Sequence, residues 1–193
     1  MSESGAVTPQ SRPSAVAPSL SSAARSPMAW LRFLGIAAVG ASLDLWTKHW
    51  VFSHLGYGIR SRHLILIPGV LMLQTTLNGG AVFGIGDGLS LLFIAVSFIA
   101  IAFVVYVFVS SHRHHRLVHI ALGLILAGAI GNLYDRIFNH GMVRDFIMLR
   151  YWPFDFNLAD SMLCVGVPLL VLCWLRAPRS PGQAAPPPEN RIG

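Results

Sequence analysis

Charge is scarce in this chain. Only 11% of its 193 residues are Asp, Glu, Lys or Arg, whereas 54% are hydrophobic, and the mean hydropathy is +0.60. A soluble domain carries about 25% charged residues. The low charge therefore excludes an ordinary soluble domain and indicates a membrane protein.

Lysine is nearly absent as well. The formal net charge of +6 rests on a single Lys and many Arg, and much of it lies in the two ends of the chain and one short loop. That distribution is typical of membrane topology and lipid contact. No basic stripe is interleaved with aromatic residues, so we do not expect nucleic acid as a partner.

Cysteine occurs only at Cys164 and Cys173. The two residues lie in one apolar stretch, where a straight helix turns them to opposite sides and separates them by roughly 13 Å along its axis. They cannot form a disulfide bond with each other. We interpret both as apolar structural residues.

Four apolar stretches are long enough to cross a bilayer. Twenty residues of helix are about 30 Å long, which matches the hydrocarbon thickness of a membrane. The first stretch is not interpreted as a cleavable signal peptide, because a long polar segment precedes it and Asp44 and Lys48 interrupt its second half. The predicted spans are residues 29–52, 90–109, 117–136 and 158–175.

A shorter apolar run, residues 64–73, cannot span and is interrupted by Pro68 and Gly69. We expect two short strands or an interfacial segment there. The small residues Gly123, Ala127 and Gly131 recur every four positions in the third span and favour close helix packing. The predicted fold class is an all-α polytopic membrane protein with four transmembrane helices and a small extracytoplasmic β-like segment.

The two ends of the chain are rich in Ser, Ala and Pro and poor in large apolar residues. This composition is typical of disorder. We therefore divide the chain into a disordered cytoplasmic tail (1–28), a four-span membrane domain (29–176) and a second disordered cytoplasmic tail (177–193).

The distribution of Lys and Arg predicts the orientation. Four spans place both termini on one side, and the short linker 110–116 on that side is basic and contains no acid. Short basic loops stay in the cytoplasm. The terminal side carries eight basic residues: Arg12, Arg25, Arg32, Arg113, Arg116, Arg176, Arg179 and Arg191. The opposite side carries six: Lys48, Arg60, Arg62, Arg136, Arg144 and Arg150.

Cytoplasmic termini place every aspartate at or beyond the outer membrane edge. Any chemistry that these carboxylates perform would then occur on the extracytoplasmic face. The six aspartates are Asp44, Asp87, Asp135, Asp145, Asp155 and Asp160.

Two of these carboxylates flank the last loop before the fourth span. Asp160 stands at the head of that span, and Asp145 lies upstream in an apolar segment, 142–149, that could run as a strand. An ionisable group at membrane depth is costly and signals function. Two carboxylates that can meet there suggest acid and base chemistry.

Other polar residues are spaced so that they share helix faces. Asp44 and Lys48 are four apart and can pair near the outer interface. In the third span, Asn132, Asp135 and Arg136 are predicted on one face. We interpret Asp135 and Arg136 as a charge-balanced structural pair, since an Asp that keeps an Arg partner is a poor proton carrier.

Asn157 precedes Asp160 by three residues. Its amide can therefore share a face with the carboxylate and hydrogen-bond to it. Asn157 can also cap the fourth helix.

Several other signatures are absent or weak. The chain has neither the His-Glu-x-x-His zinc motif nor the Gly-x-Ser-x-Gly nucleophile elbow. Gly84-Ile-Gly86-Asp87 and Tyr134-Asp135 resemble motifs of presenilin-type intramembrane proteases, but they occur in the reverse order. We interpret His112-Arg-His-His-Arg116 as a basic cytoplasmic loop rather than a metal site.

Five motifs together resemble the lipoprotein signal peptidases, also called signal peptidase II, in the order of that family. They cover residues 30–176. The motifs are Asp44-x-x-x-Lys48, Asn78-Gly-Gly-Ala-Val-Phe83, Gly128-x-x-Gly-Asn132-x-x-Asp135-Arg136, Val143-Arg-Asp145-Phe-Ile and Phe156-Asn157-Leu-Ala-Asp160-Ser.

The resemblance implies an aspartyl endopeptidase whose catalytic pair is Asp145 and Asp160. Val82 and Arg144 depart from the family pattern, where alanine and an apolar residue are usual, and the link between Asp145 and Asn157 is short. The implied supporting or substrate-binding residues are Asp44, Lys48, Asn78, Gly128, Asn132, Asp135, Arg136 and Asn157.

The implied substrates are diacylglyceryl-modified prolipoproteins, cut before the lipobox cysteine. Membrane lipids are the other implied partners. The resemblance places the protein in the bacterial inner membrane, with both termini cytoplasmic and the active site at the extracytoplasmic interface. We expect a monomer, because four spans can form a bundle.

The chemistry expected of such a pair follows from its charge. Two close carboxylates at a low-dielectric edge share one proton. The ionised member takes a proton from a water that attacks the scissile carbonyl, while the protonated member polarises that carbonyl and later helps to protonate the leaving amine. We expect no metal and no cofactor. The alternatives are a presenilin-like protease and a small transporter or channel with a polar lining.

Overall fold

The computed structural model describes residues 22–58, 62–80 and 89–176. Within these ranges four helices are long and apolar enough to cross a membrane, and three strands form one small sheet. This confirms the predicted fold class. The helices are α1 (Pro27–Leu55), α2 (Ser90–Ser110), α3 (Arg116–Phe138) and α4 (Leu158–Leu175), and the strands are β1 (Leu64–Ile67), β2 (Leu71–Asn78) and β3 (Val143–Leu149).

Local signals at both ends of α1 make it longer than the predicted span. Ser26 caps the helix by accepting a hydrogen bond from the backbone N–H of Ala29, and Pro27 occupies the first turn. Proline suits that position because its missing N–H would have no helical partner. The helix ends at Leu55, and the next residue, Gly56, has a φ of 82°, a positive value that glycine adopts without steric cost.

Part of the predicted N-terminal tail is packed. The Ser22 hydroxyl donates to the carbonyl oxygen of Val109 at 2.6 Å, and the Ala23 N–H donates to the carbonyl of Ser111 at 2.8 Å. Residues 22–28 therefore belong to the helical domain. Residues 1–21 and 177–193, the remainder of the two predicted tails, lie outside the described residues.

Small residues let α3 lie close to its neighbours, as the pattern in the third span predicts. A Cβ on Gly123 would lie 3.0 Å from the Ile36 side chain in α1. A Cβ on Gly128 would lie 2.5 Å from the carbonyl oxygen of Ala159 in α4. Helix α3 is accordingly the most deeply packed of the four spans.

The sheet is antiparallel and has the strand order β1-β2-β3. It confirms the short strands expected in residues 64–73 and the strand expected around Asp145. Thr76 of β2 pairs with Asp145 of β3. Phe146 of β3 packs with Val51 and Phe52 of α1, which anchors the sheet to the end of that helix.

We predict that Gly128→Ala destabilises the protein, because the new methyl group would collide with the backbone of α4. Overpacking of this kind costs about 1–3 kcal/mol. Thermal unfolding in detergent should show a lower midpoint. Gly35→Ala in α1 is the matched control, since a Cβ there meets nothing within 4 Å. Equal midpoints for the two variants would contradict the close contact between α3 and α4.

Candidate active site

Asn157 brings the two predicted catalytic aspartates together. Its side-chain Nδ2 donates to Asp145 Oδ1 at 2.7 Å, and its backbone N–H donates to Asp160 Oδ2 at 3.1 Å. Asp145 projects from β3, and Asp160 lies in the first turn of α4. A carboxylate from the sheet and a carboxylate from a helix thus meet on either side of one asparagine.

The position of Asn157 follows from its role as a helix cap. The Asn157 side-chain oxygen accepts the backbone N–H of Asp160 at 3.0 Å, and the Asp160 carboxylate accepts the backbone N–H of Asn157 in return. This reciprocal arrangement is a capping box. The predicted cap is confirmed. The expected bond from the Asn157 side-chain amide to Asp160 is wrong, since that amide points to Asp145 and Asn132.

Two further asparagines complete the surroundings of the aspartate pair. Asn78, at the end of β2, donates from Nδ2 to Asp145 Oδ2 at 3.0 Å. Asn132 of α3 donates from Nδ2 to Asp160 Oδ1 at 2.7 Å. All four oxygens of the two carboxylates therefore accept a hydrogen bond, and each donor is a neutral amide group that fixes orientation without adding charge.

Burial is the main cause that raises the pKa of Asp145 from its ordinary range to about 7, and the nearby charge of Asp160 acts in the same direction. The side chains of Asn78 and Asn157 oppose this rise because they donate to the ionised form. Asp145 is 2% exposed. Close to neutral pH this carboxyl group can hold or release a proton.

A buried cation joins this site to the helical bundle. Lys48 Nζ lies 2.8 Å from Asp44 Oδ2 and 3.2 Å from Asp135 Oδ2, and it donates to Asn132 Oδ1 at 3.1 Å. The predicted pairing of Asp44 with Lys48 is confirmed. Neither residue is exposed to solvent, so the charges must compensate one another where water cannot.

Asp44 also supports the start of α4. Its Oδ1 accepts the backbone N–H of Ala159 at 2.8 Å. The first N–H groups of a helix have no partner within the helix, and a carboxylate there is further favoured by the helix dipole. Asp44 therefore fixes the first turn of α4, from which Asp160 projects.

The predicted ion pair between Asp135 and Arg136 is wrong. Asp135 is instead bound by Lys48 and by Arg144 of β3, while the Arg136 guanidinium lies over the Phe93 ring, 5.2 Å from its centroid. Adjacent residues of a helix point about 100° apart, which separates the two side chains. The charge of Arg136 still interacts over a longer range with Asp160, Asp145 and Asp135.

Asp155 is a part of the site region to which the sequence motifs assign no role. Its Oδ2 accepts a hydrogen bond from Gln74 Nε2 at 2.7 Å and another from the Thr76 hydroxyl. These bonds tie the loop before α4 to β2. No sequence signal connects the partners, because about eighty residues separate them.

The other sequence-predicted residues fall into two groups. Gly128 contacts the backbone of α4 rather than the aspartates, so its role is packing. Val82 and Phe83, together with the glycine-rich segment that ends at Asp87, lie outside the described residues.

Comparisons with known proteins identify relatives over most of the chain. A family model described as signal peptidase (SPase) II matches residues 36–176. The lipoprotein signal peptidase of Halalkalibacterium halodurans is 41% identical over 147 residues, which are 75% of this chain and 92% of the relative. The lipoprotein signal peptidase of Rhodopirellula baltica is 35% identical over 186 residues, which are 88% of this chain and 83% of the relative.

Solved structures agree with this. Two structures described as a bacterial membrane enzyme are each 31% identical to this chain. The superposition on the first has a TM-score of 0.67 and covers 72% of this chain and 85% of the solved chain. The superposition on the second has a TM-score of 0.66 and covers 74% of this chain and 92% of the solved chain.

We predict that Lys48→Met destabilises the fold by about 3–5 kcal/mol, because it leaves Asp44 and Asp135 buried without their shared cation. Thermal unfolding in detergent should show a much lower midpoint than the wild type. His49→Met is the matched control, since the next residue of the same helix is exposed and should tolerate the change. A wild-type midpoint for Lys48→Met would show that the buried charges do not depend on this cation.

Proposed function

Because the chain belongs to the signal peptidase II family, we propose that it removes the signal peptide from diacylglyceryl-modified prolipoproteins by cleavage before the lipobox cysteine. It is a multi-pass membrane peptidase, and we propose the aspartic type. The observation that carries this proposal is the meeting of Asp145 and Asp160 on Asn157. Membership of this family removes the transporter, channel and presenilin-like alternatives.

The two carboxylates take different roles in the proposed mechanism. Asp145 is the more buried of the two, and its raised pKa favours the protonated form. Asp160 is partly exposed and serves as the general base, which removes a proton from the attacking water. Asp145 donates a hydrogen bond to the scissile carbonyl oxygen as negative charge develops there.

Breakdown of the tetrahedral intermediate completes the reaction. The C–N bond breaks as the oxyanion re-forms a carbonyl, and the amine leaving group receives the proton that the aspartates took from the water. The pair returns to its starting state with one shared proton. The three asparagine side chains support this cycle, because their amides hold the carboxylates in place while the charge moves between them.

The surroundings of the site suit a lipidated substrate. The helices expose large apolar side chains along their length, and a bilayer is the environment in which such surfaces are stable. We propose that these faces receive the diacylglyceryl chains while the peptide reaches the aspartates from the sheet side. The most exposed of these side chains in α2 and α4 are Leu91, Ile99, Tyr106, Val165 and Leu175.

The charge distribution supports an orientation in the bacterial inner membrane. The described carboxylates lie toward the end of the bundle that carries the sheet, whereas the loop between α2 and α3 contains Arg113 without an acid and is followed by Arg116, the first residue of α3. Such a loop stays in the cytoplasm. We therefore propose cytoplasmic termini and an extracytoplasmic active site. We also propose a monomer as the working unit, since both aspartates come from one chain.

We predict that Asp145→Asn and Asp160→Asn each reduce kcat by at least about 10²–10⁴-fold, because each removes one of the two proton-transfer groups. The measurement is cleavage of a diacylglyceryl-modified prolipoprotein by purified enzyme. Asp155→Asn is the matched control, since its amide oxygen can still accept from Gln74 and Thr76. Near wild-type turnover in Asp145→Asn or in Asp160→Asn would refute the assignment of these two residues as the catalytic pair. Equal cleavage of unlipidated substrate would refute recognition of the lipid.

We predict that kcat/KM falls as the pH rises above about 7. The proposed role of Asp145 needs its proton, and the raised pKa of this group means that the proton is present below about pH 7 and is lost above it. A pH profile of initial rates, on a substrate without titratable groups near the cleavage site, tests this expectation. A profile that stays flat or rises through pH 7 would assign the acid role elsewhere.

A further inference from the structure

Arg144 is held by Asp135 through both its main chain and its side chain. Its backbone N–H donates to Asp135 Oδ2 at 3.0 Å. Its guanidinium donates to Asp135 Oδ1 from Nε at 3.0 Å and from Nη2 at 2.6 Å. Successive side chains of a strand point to opposite faces, so this contact directs the neighbouring Asp145 toward Asn78 and Asn157.

One turn of α3 therefore determines where both carboxylates lie. Asn132 donates to Asp160, and Asp135, three residues later on the same helix, holds the residue that precedes Asp145. Residues three apart on a helix are neighbours at a fixed distance. The distance between the two aspartates is thus set by the rigid helix α3 rather than by the loops between them.

Arg144 also balances the buried charge. The network contains Asp44 and Lys48 from α1, Asp135 from α3 and Arg144 from β3, and these two acids and two bases sum to zero. Asp135 is 1% exposed. Without Arg144, two buried carboxylates would share Lys48, which also orients Asn132. A change at Arg144 would therefore reach Asp160 through Lys48 and Asn132.

We propose that Arg144 is a positioning residue for the aspartate pair, which it holds in the reactive arrangement through Asp135. The inference rests on the proposed function of Asp145 and Asp160 as the catalytic pair. In this role Arg144 does not contact the side-chain carboxylate of Asp145 or of Asp160. It fixes the strand beside Asp145 directly and keeps the amide of Asn132 aimed at Asp160 by leaving Lys48 free to bind Asn132.

The test is a kinetic comparison of Arg144→Met with wild type in detergent, on a diacylglyceryl-modified prolipoprotein. We expect kcat to fall by about 10–100-fold with KM little changed, since a misplacement of about 1 Å has an effect of this size. The fall of kcat/KM at high pH, which we call the alkaline limb of the pH profile, should also move to higher pH. In this variant the negative charge of Asp135 would be uncompensated, and together with that of Asp160 it would favour the protonated form of Asp145. The positive charges of Lys48 and Arg136 would oppose this effect.

Arg144→Lys separates charge from geometry. Lysine keeps the positive charge but has a single nitrogen in place of the Nε and Nη2 donors that converge on Asp135 Oδ1. We expect an intermediate kcat and an alkaline limb close to that of the wild type. This variant also keeps the charge balance of the network, so it provides the kinetic test if Arg144→Met does not fold.

Two controls distinguish positioning from general damage. Arg150→Met removes an arginine from an exposed site one residue beyond β3 and should leave kcat and the pH profile unchanged. Adding Asp135→Asn to Arg144→Met removes the uncompensated charge, so the double variant should regain part of the lost kcat and return the limb toward its wild-type position. A further loss in the double variant would count against the proposal.

The outcomes separate the two proposals. If Asp145→Asn and Asp160→Asn are both inactive while Arg144→Met keeps the wild-type kcat and an unmoved alkaline limb, Arg144 has no positioning role. In that case the catalytic assignment of Asp145 and Asp160 is retained. A lower unfolding midpoint with wild-type kcat would likewise reduce Arg144 to a structural residue. If Asp145→Asn and Asp160→Asn remain active, the proposed function itself fails.

Discussion

The single lysine of the chain is the point at which the helices and the site are joined. Lys48 binds Asp44 within α1 and contacts Asp135 and Asn132 of α3, while Asp44 holds the first turn of α4 through Ala159. A charge inside a membrane bundle is stable only when it is compensated. The requirement to compensate one ammonium group therefore fixes three helices relative to one another, in the region where the two aspartates meet.

Neutral groups lie next to the two aspartates, and charged groups lie farther away. Among the described residues, the direct hydrogen-bond donors to the aspartates are the side chains of Asn78, Asn132 and Asn157 and the backbone of Asn157. A lysine or arginine in direct contact would hold a carboxylate permanently ionised. Neutral amides orient the carboxylates yet leave the pair able to exchange a proton, whereas the ion pairs one step farther out supply rigidity.

Local features of the fold were predictable from the sequence because each depends on residues close together in the chain. Span length follows from apolar runs, the pairing of Asp44 with Lys48 follows from their spacing, and the cap at Asn157 follows from the residue type before an apolar stretch. The same applies to the strand around Asp145, since its apolar pattern extends over a few residues.

Contacts between distant segments were not predictable in the same way. The placement of Asp135 beside Arg136 in sequence suggested a pair, but the bundle directs Asp135 to Lys48 and Arg144. The bonds from Gln74 and Thr76 to Asp155 depend on strand register, which the sequence does not display. The catalytic roles of Asp145 and Asp160 remain predictions that derive from the family motifs.

The capping box at the head of α4 has a consequence for the synthesis of the protein. Asn157 and Asp160 stand at the head of α4, so they are made after Asp145, Asn78 and Lys48. Under the proposed mechanism, a chain that lacks α4 has only one aspartate of the pair, lacks the asparagine that unites the two, and cannot cut a neighbouring nascent lipoprotein. Insertion of α4 would be the event that activates the enzyme.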